Sequence, residues 1–409
     1  MRRLLTVPLP LGASLVLLAA CADSPVAPTA SSAMRPRPDV VTAAQLFQRY
    51  VALGTSNSQG VQSAGLNAAG QKAAWPAQLA NRAGVPLSLP LVQDPGCNPP
   101  LLPPLAADIA LVGAFSAFGG GSDLVMSVSN SCAPLQSGIV PPTSGLAISG
   151  ADVHDALYST YESELAAGAR VAPLYDRVLG PGPTQVSAML AKSPTLVSVE
   201  LAANDVLPAS TGRIAAMTPY DQWQTDYDAV VAAVQSTGAR AVLVGLPTDA
   251  AKFPSIRTSR EFFNQWAYLL GLGISVSYKC YYSSNHLFIP GYVLTLLSHA
   301  PTTATCADVP GAVDYVLTPS DVSAINARMA AINTHIQAQA AANGYAYFAL
   351  SALYDLPKGS LNMYNVLFSS TPFGPNMSLD GVHPNAAGQT ILANAAVAAV
   401  NARYGTAIP

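Results

Sequence analysis

Four short runs, RYVALG (49–54), TLVSVELAA (195–203), ARAVLVGLP (239–247) and YAYFAL (345–350), are largely apolar without strict alternation. A strand with one wet face alternates apolar and polar residues, whereas a run apolar at nearly every position is covered on both sides. Gly or Pro flanks each run, as expected where a strand must stop. The pattern predicts a parallel sheet between layers of helices. Two further runs, ADIALVGAF (107–115) and LVMSVS (124–129), add a strand or two at most.

The covering helices are legible between the runs. In residues 320–344, Val322, Ile325, Met329, Ile332 and Ile336 recur at steps of three and four, which lines one helical face with apolar groups. Ser320 after Pro319 reads as the cap, and Asn343-Gly344 as the stop. Residues 384–405 repeat the plan, with Pro384 near the start and Gly405 at the end. The fold class is therefore α/β, a three-layer α/β/α sandwich with a central, mostly parallel sheet.

One connection breaks this rhythm. Residues 248–317 are far longer than an ordinary strand-to-helix loop and carry the aromatic stretch KCYYSSNHLFIPGYVLTLL. Two roles suit them equally: a lid or substrate wall over the sheet, or a structural excursion.

Residues 1–21, MRRLLTVPLPLGASLVLLAAC, place two arginines before an apolar stretch that ends in Leu-Ala-Ala-Cys. Two prolines interrupt the stretch, and it is short for a membrane span, which takes about 20 apolar residues. It reads as an export signal and resembles a bacterial lipoprotein leader, which implies cleavage after residue 20 and acylation of Cys21. Residues 21–40, rich in Pro, Ser and Ala, read as a tether, with a single domain from 41 to 409. The expected address is the cell envelope, with the outer membrane or cell surface favoured and the membrane reached through the lipid.

The other cysteines, Cys97, Cys132, Cys280 and Cys306, are even in number in an exported chain, which favours disulfides. Sequence neighbours are the favoured pairs, Cys97 with Cys132 and Cys280 with Cys306. Only 10% of residues are charged and the net charge is -3, so the chain lacks the basic footprint of a nucleic-acid partner. His154, His286, His299 and His335 show no ligand spacing, and neither metal nor cofactor is expected. His154, at a helix start, suits a surface or capping role.

Chemistry concentrates in four stretches. GTS (54–56) ends an apolar run on a glycine and exposes a serine. GLAISG (145–150) closes on another glycine, whose N–H allows close approach to a ligand. VELAAND (199–205) ends in an amide, which suits an oxyanion better than a carboxylate does. SLDGVHP (378–384) sets Asp380 three residues before His383, a spacing that brings carboxylate and imidazole together in one turn.

In this order the four stretches resemble the blocks of the SGNH or GDSL serine hydrolases. The resemblance implies a flavodoxin-like sandwich and a cofactor-independent ester hydrolase. Ser56 would be the nucleophile, His383 the base and Asp380 its orienting acid, with the oxyanion held by Gly150, Asn204 and the Ser56 N–H. A Ser56 to His383 contact within about 3.2 Å is expected, looser without substrate. Thr55 stands where the family usually has Asp, and Ala202, which adds only a methyl, where it usually has Gly. The implied substrate is an acyl ester, from a lipid or small molecule or from an acetylated envelope sugar. The rival reading is a non-catalytic surface lipoprotein that binds a partner or glycan.

Overall fold

Successive side chains of a strand point to opposite faces, so a run apolar at every position must feed two cores. That is how the four predicted strands sit in the computed structural model, which describes residues 42–105 and 131–409. Strands β1 (Tyr50–Gly54), β2 (Leu196–Glu200), β3 (Arg240–Gly245) and β9 (Ala346–Ala349) form one sheet in the order β1-β2-β3-β9, every pair parallel. Val51, Leu53, Val197, Val199, Ala241 and Leu243 enter one core, with Trp223, Tyr227 and Val230 of helix Tyr220–Ser236 and Ile325, Met329, Ile332 and Ile336 of helix Pro319–Asn343. Tyr50, Ala52, Leu196, Val242, Val244 and Phe348 enter the other, against Trp75 and Leu79 of helix Trp75–Arg82 and Leu392, Ala396 and Val400 of helix Ala386–Tyr404.

The run that closes on Gly150 adds itself to the free edge of β1. Ala52 N–H donates to Ser144 O at 2.9 Å, and Leu146 and Ile148 return bonds to Ala52 O and Gly54 O at 2.8 and 3.0 Å. The runs at 107–115 and 124–129 lie outside the described residues, as do the leader and tether.

Two helix starts differ from expectation. Thr318, not Ser320, caps the long helix, because its hydroxyl reaches Asp321 N–H while the Asp321 side chain returns to the cap, and Pro319 takes the first helical position. Asn385 likewise caps the last helix, which leaves Pro384 outside it.

Residues 248–317 add two small sheets and feed both cores. Strands β4 (Ile256–Thr258), β6 (His286–Phe288) and β8 (Val316–Leu317) pair antiparallel, while β5 (Ile274–Val276) and β7 (Thr302–Ala304) pair parallel. Disulfides join Cys280 to Cys306 and Cys97 to Cys132, the favoured connectivity.

Candidate active site

All four sheet strands run the same way, so their carboxyl ends open on one edge, where ligands of open α/β sheets bind. The segments leaving those ends meet around a cavity of about 70 Å³. Ser56 and Asn57 follow β1, Ala203 and Asn204 follow β2, Leu246 and Pro247 follow β3, and Leu350 and Tyr354 follow β9. Val382 and His383 also line it.

Ser56 opens a one-turn helix, Ser56–Gln59, directly after the strand tip. The turn is tight at Gly54: a methyl there would stand 2.6 Å from Ser58 Oγ. At the first helical position the Ser56 N–H has no intrahelical acceptor. The turn is pinned by a residue that sequence reasoning passed over, Glu200, the last residue of β2. Its carboxylate accepts from Thr55 N–H at 3.1 Å, Thr55 Oγ1 at 3.0 Å and Ser58 N–H at 3.2 Å. Burial pushes the Glu200 carboxyl up, against the pull of these donors. A glutamate inside the apolar run VELAA was the available signal, since a buried carboxylate in a strand needs partners.

The acid and base occupy a loop before the last helix. His383 Nδ1 lies 2.7 Å from Asp380 Oδ2. Asp380 also accepts from Ala64 N–H at 2.6 Å, Ser378 Oγ at 3.0 Å, and the N–H groups of Val382 and His383, each at 2.9 Å. Burial alone would raise this carboxyl; the imidazole's charge and these donors outweigh burial and hold it at about 2. An ionised Asp380 makes Nδ1 the donor and leaves Nε2 as the ring nitrogen available for chemistry.

This loop is tied to the serine turn in two places. The Tyr354 hydroxyl lies 2.8 Å from Val382 O and 3.1 Å from Asn57 Oδ1. Gln389 of the last helix donates to Asn57 O at 3.0 Å. Ser56 and His383 thus share one cavity, but among the described residues the Ser56 hydroxyl has no hydrogen-bond partner. The expected direct hydrogen bond between Ser56 and His383 is absent.

Asn204 lines the cavity and gives one amide hydrogen to Ala151 O at 2.7 Å, which leaves a second. That bond draws the Gly150 loop beside it. Gly150 itself is exposed, with φ of 86°, and is not among the residues lining the cavity. Next to Asn204, Asp205 is pushed up to about 8 by burial first and by Asp152 second, so at neutral pH it is mostly uncharged.

The other histidines stand apart. His154 pairs with Asp226 at 3.0 Å and His335 with Asp228 at 2.7 Å. Among the described residues no three His, Cys, Asp or Glu side chains are grouped as a metal site would need.

A sequence model of the GDSL-like lipase/acylhydrolase family matches residues 50–396, from the first sheet strand into the last helix. The chain belongs to this family. It is therefore a hydrolase of ester bonds, with the family's α/β fold around a mostly parallel sheet. Among solved structures it is similar to a GDSL-like lipase from Parabacteroides merdae, at 10% identity and a TM-score of 0.32, over 86% of this chain and 94% of that one. The family assignment rests on the sequence model. No curated protein matches the chain.

Proposed function

We propose that this hydrolase cleaves acyl esters through a serine acyl-enzyme and that the cavity receives the acyl chain. One observation carries the reading: Ser56, Asn204 and His383 line a cavity whose remaining wall is mostly apolar, including Val206, Leu246, Phe253, Ile256, Ile325 and Met329. An acetyl group would leave much of that apolar wall uncovered, whereas a longer chain gains about 0.8 kcal/mol per buried methylene.

In the proposed reaction His383 Nε2 takes the proton of Ser56 as Oγ attacks the ester carbonyl. The free Asn204 hydrogen and the Ser56 N–H face the oxyanion, and the imidazolium is stabilised by Asp380. His383 returns the proton to the departing alcohol. It then activates water to release the acid. The long excursion contributes Ala250, Phe253, Ile256 and Phe288 to the wall, which favours the substrate-wall role for it. The leader supports attachment to an envelope membrane through Cys21.

The test is hydrolysis of p-nitrophenyl acetate, butyrate and octanoate beside Ser56→Ala. Activity that rises with chain length and vanishes in the variant supports the reading. Preference for acetate transfers it to acetylated sugars, and equality with the blank transfers it to a binding protein.

A further inference from the structure

The excursion carries a second feature that the cavity does not use. Three short helices, Ser259–Phe263, Trp266–Gly271 and Lys279–Tyr282, pack around it, and helix Met363–Phe368 leans on the second of them. Their large apolar side chains face water: Trp266 is 52% exposed, Leu270 55%, Tyr278 60% and Tyr282 73%. The rings lie in contact. Tyr278, Tyr281 and Tyr282 form a cluster with centroids 5.1–5.6 Å apart, backed by Phe263. On the neighbouring helices Tyr268 meets Tyr364, which stacks on Phe368 at 4.9 Å.

Between residues 259 and 306 the only carboxylate is Glu261, which pairs with Arg257 at 3.4 Å. The cations are exposed and sit among the rings. Arg260 lies over the Tyr281 ring at 4.5 Å from its centroid, and Lys279 stands next to Tyr278 in the chain. A protein of net charge -3 thus presents a locally cationic aromatic face.

Exposed Tyr, Trp and Leu beside Arg and Lys match the interfacial layer of a bilayer, where amphipathic rings lie at headgroup depth and cations meet lipid phosphates. We propose that this face seats the domain on an anionic phospholipid surface. A glycan platform would need only the rings; the exposed Leu270 and the exposed Arg260 and Lys279 select the lipid. Among the described residues no helix is long and apolar enough to cross a membrane, so the contact is peripheral. It is separate from the serine chemistry and from acylation of Cys21.

The protein carries its own probe. Of its three tryptophans, Trp75 and Trp223 are fully buried, and Trp266 is exposed at the start of the second of these helices. The chain carrying Cys21→Ser and Ser56→Ala, unable to be acylated or to consume lipid by the proposed route, is mixed with vesicles of phosphatidylcholine alone or with phosphatidylglycerol. The expected result is a blue shift and quenching by brominated lipid with the anionic vesicles, weakened by salt. Leu270→Ser with Tyr278→Ser and Tyr282→Ser should weaken binding roughly tenfold or more. Arg260→Glu with Lys279→Glu should do the same, and both sets, placed in the chain that keeps Ser56, should leave hydrolysis of soluble esters unchanged. Absence of the shift, or binding that survives both sets, overturns the proposal. Co-sedimentation with envelope polysaccharide, lost in the same variants and without vesicle binding, replaces it with glycan recognition.

Discussion

Glu200 holds Thr55 twice, by its N–H at 3.1 Å and its hydroxyl at 3.0 Å, and so fixes the residue before Ser56. This explains why the chain has threonine where its family usually has aspartate: a second carboxylate would face Glu200 in a buried site. Thr55→Asp should destabilise the fold by roughly 2–3 kcal/mol at neutral pH. Adding Glu200→Gln should restore most of that loss and most of the activity. Urea melts of the two single variants and the double variant measure the coupling.

Ser56→Ala should lower kcat on soluble esters by roughly ten-thousandfold, and Asp380→Asn by about a thousandfold, with little change in KM. Circular dichroism of Ser56→Ala should overlay the parent. A residual rate within tenfold of the parent would remove Ser56 from the mechanism.

Acid stability should follow Asp380. Its carboxyl is held at about 2 in the fold, below the usual value near 4, so the folded state binds fewer protons in that window. The resulting stability, about 2 kcal/mol, is present above pH 4 and lost as pH falls toward 2. Denaturation across that range should show the slope in the parent and a flatter one in Asp380→Asn.

Ala202 adopts φ of 143°, a conformation that costs a residue with a side chain about 1–3 kcal/mol. The methyl therefore strains the backbone, beyond the small addition expected from sequence. Ala202→Gly should stabilise the protein by about 1 kcal/mol once the greater freedom of glycine in the unfolded chain is set against the relief. A lowered melting temperature would contradict this account.

Met329 lines the cavity from the long helix. Met329→Trp should fill the acyl site, cutting kcat/KM for the octanoyl ester roughly tenfold or more while leaving the acetyl ester within about threefold. Equal losses on both esters would place the chain elsewhere.

Much of this was written in local sequence. Four runs gave four strands because burial on both faces is a property of each strand alone, and Asp380 and His383 meet because they stand three positions apart in one turn. What escaped depended on pairing between distant segments. Nothing near Glu200 announces Thr55, and nothing near Tyr354 announces Asn57, since both contacts exist only once parallel strands bring their ends together. Helix caps slipped by one or two residues because Thr318, Ser320 and Asn385 are all competent caps, and reciprocal side-chain geometry selects among them.

The sheet order also sets a sequence in time. β1 delivers Ser56 at one end of the domain, whereas His383 and Asp380 follow the last strand, with β2, β3 and the whole excursion between them. A chain leaving a ribosome or translocon N-terminus first thus presents its serine long before any base exists to activate it. On the roles proposed here, hydrolysis stays silent in transit and switches on only when the final helix docks.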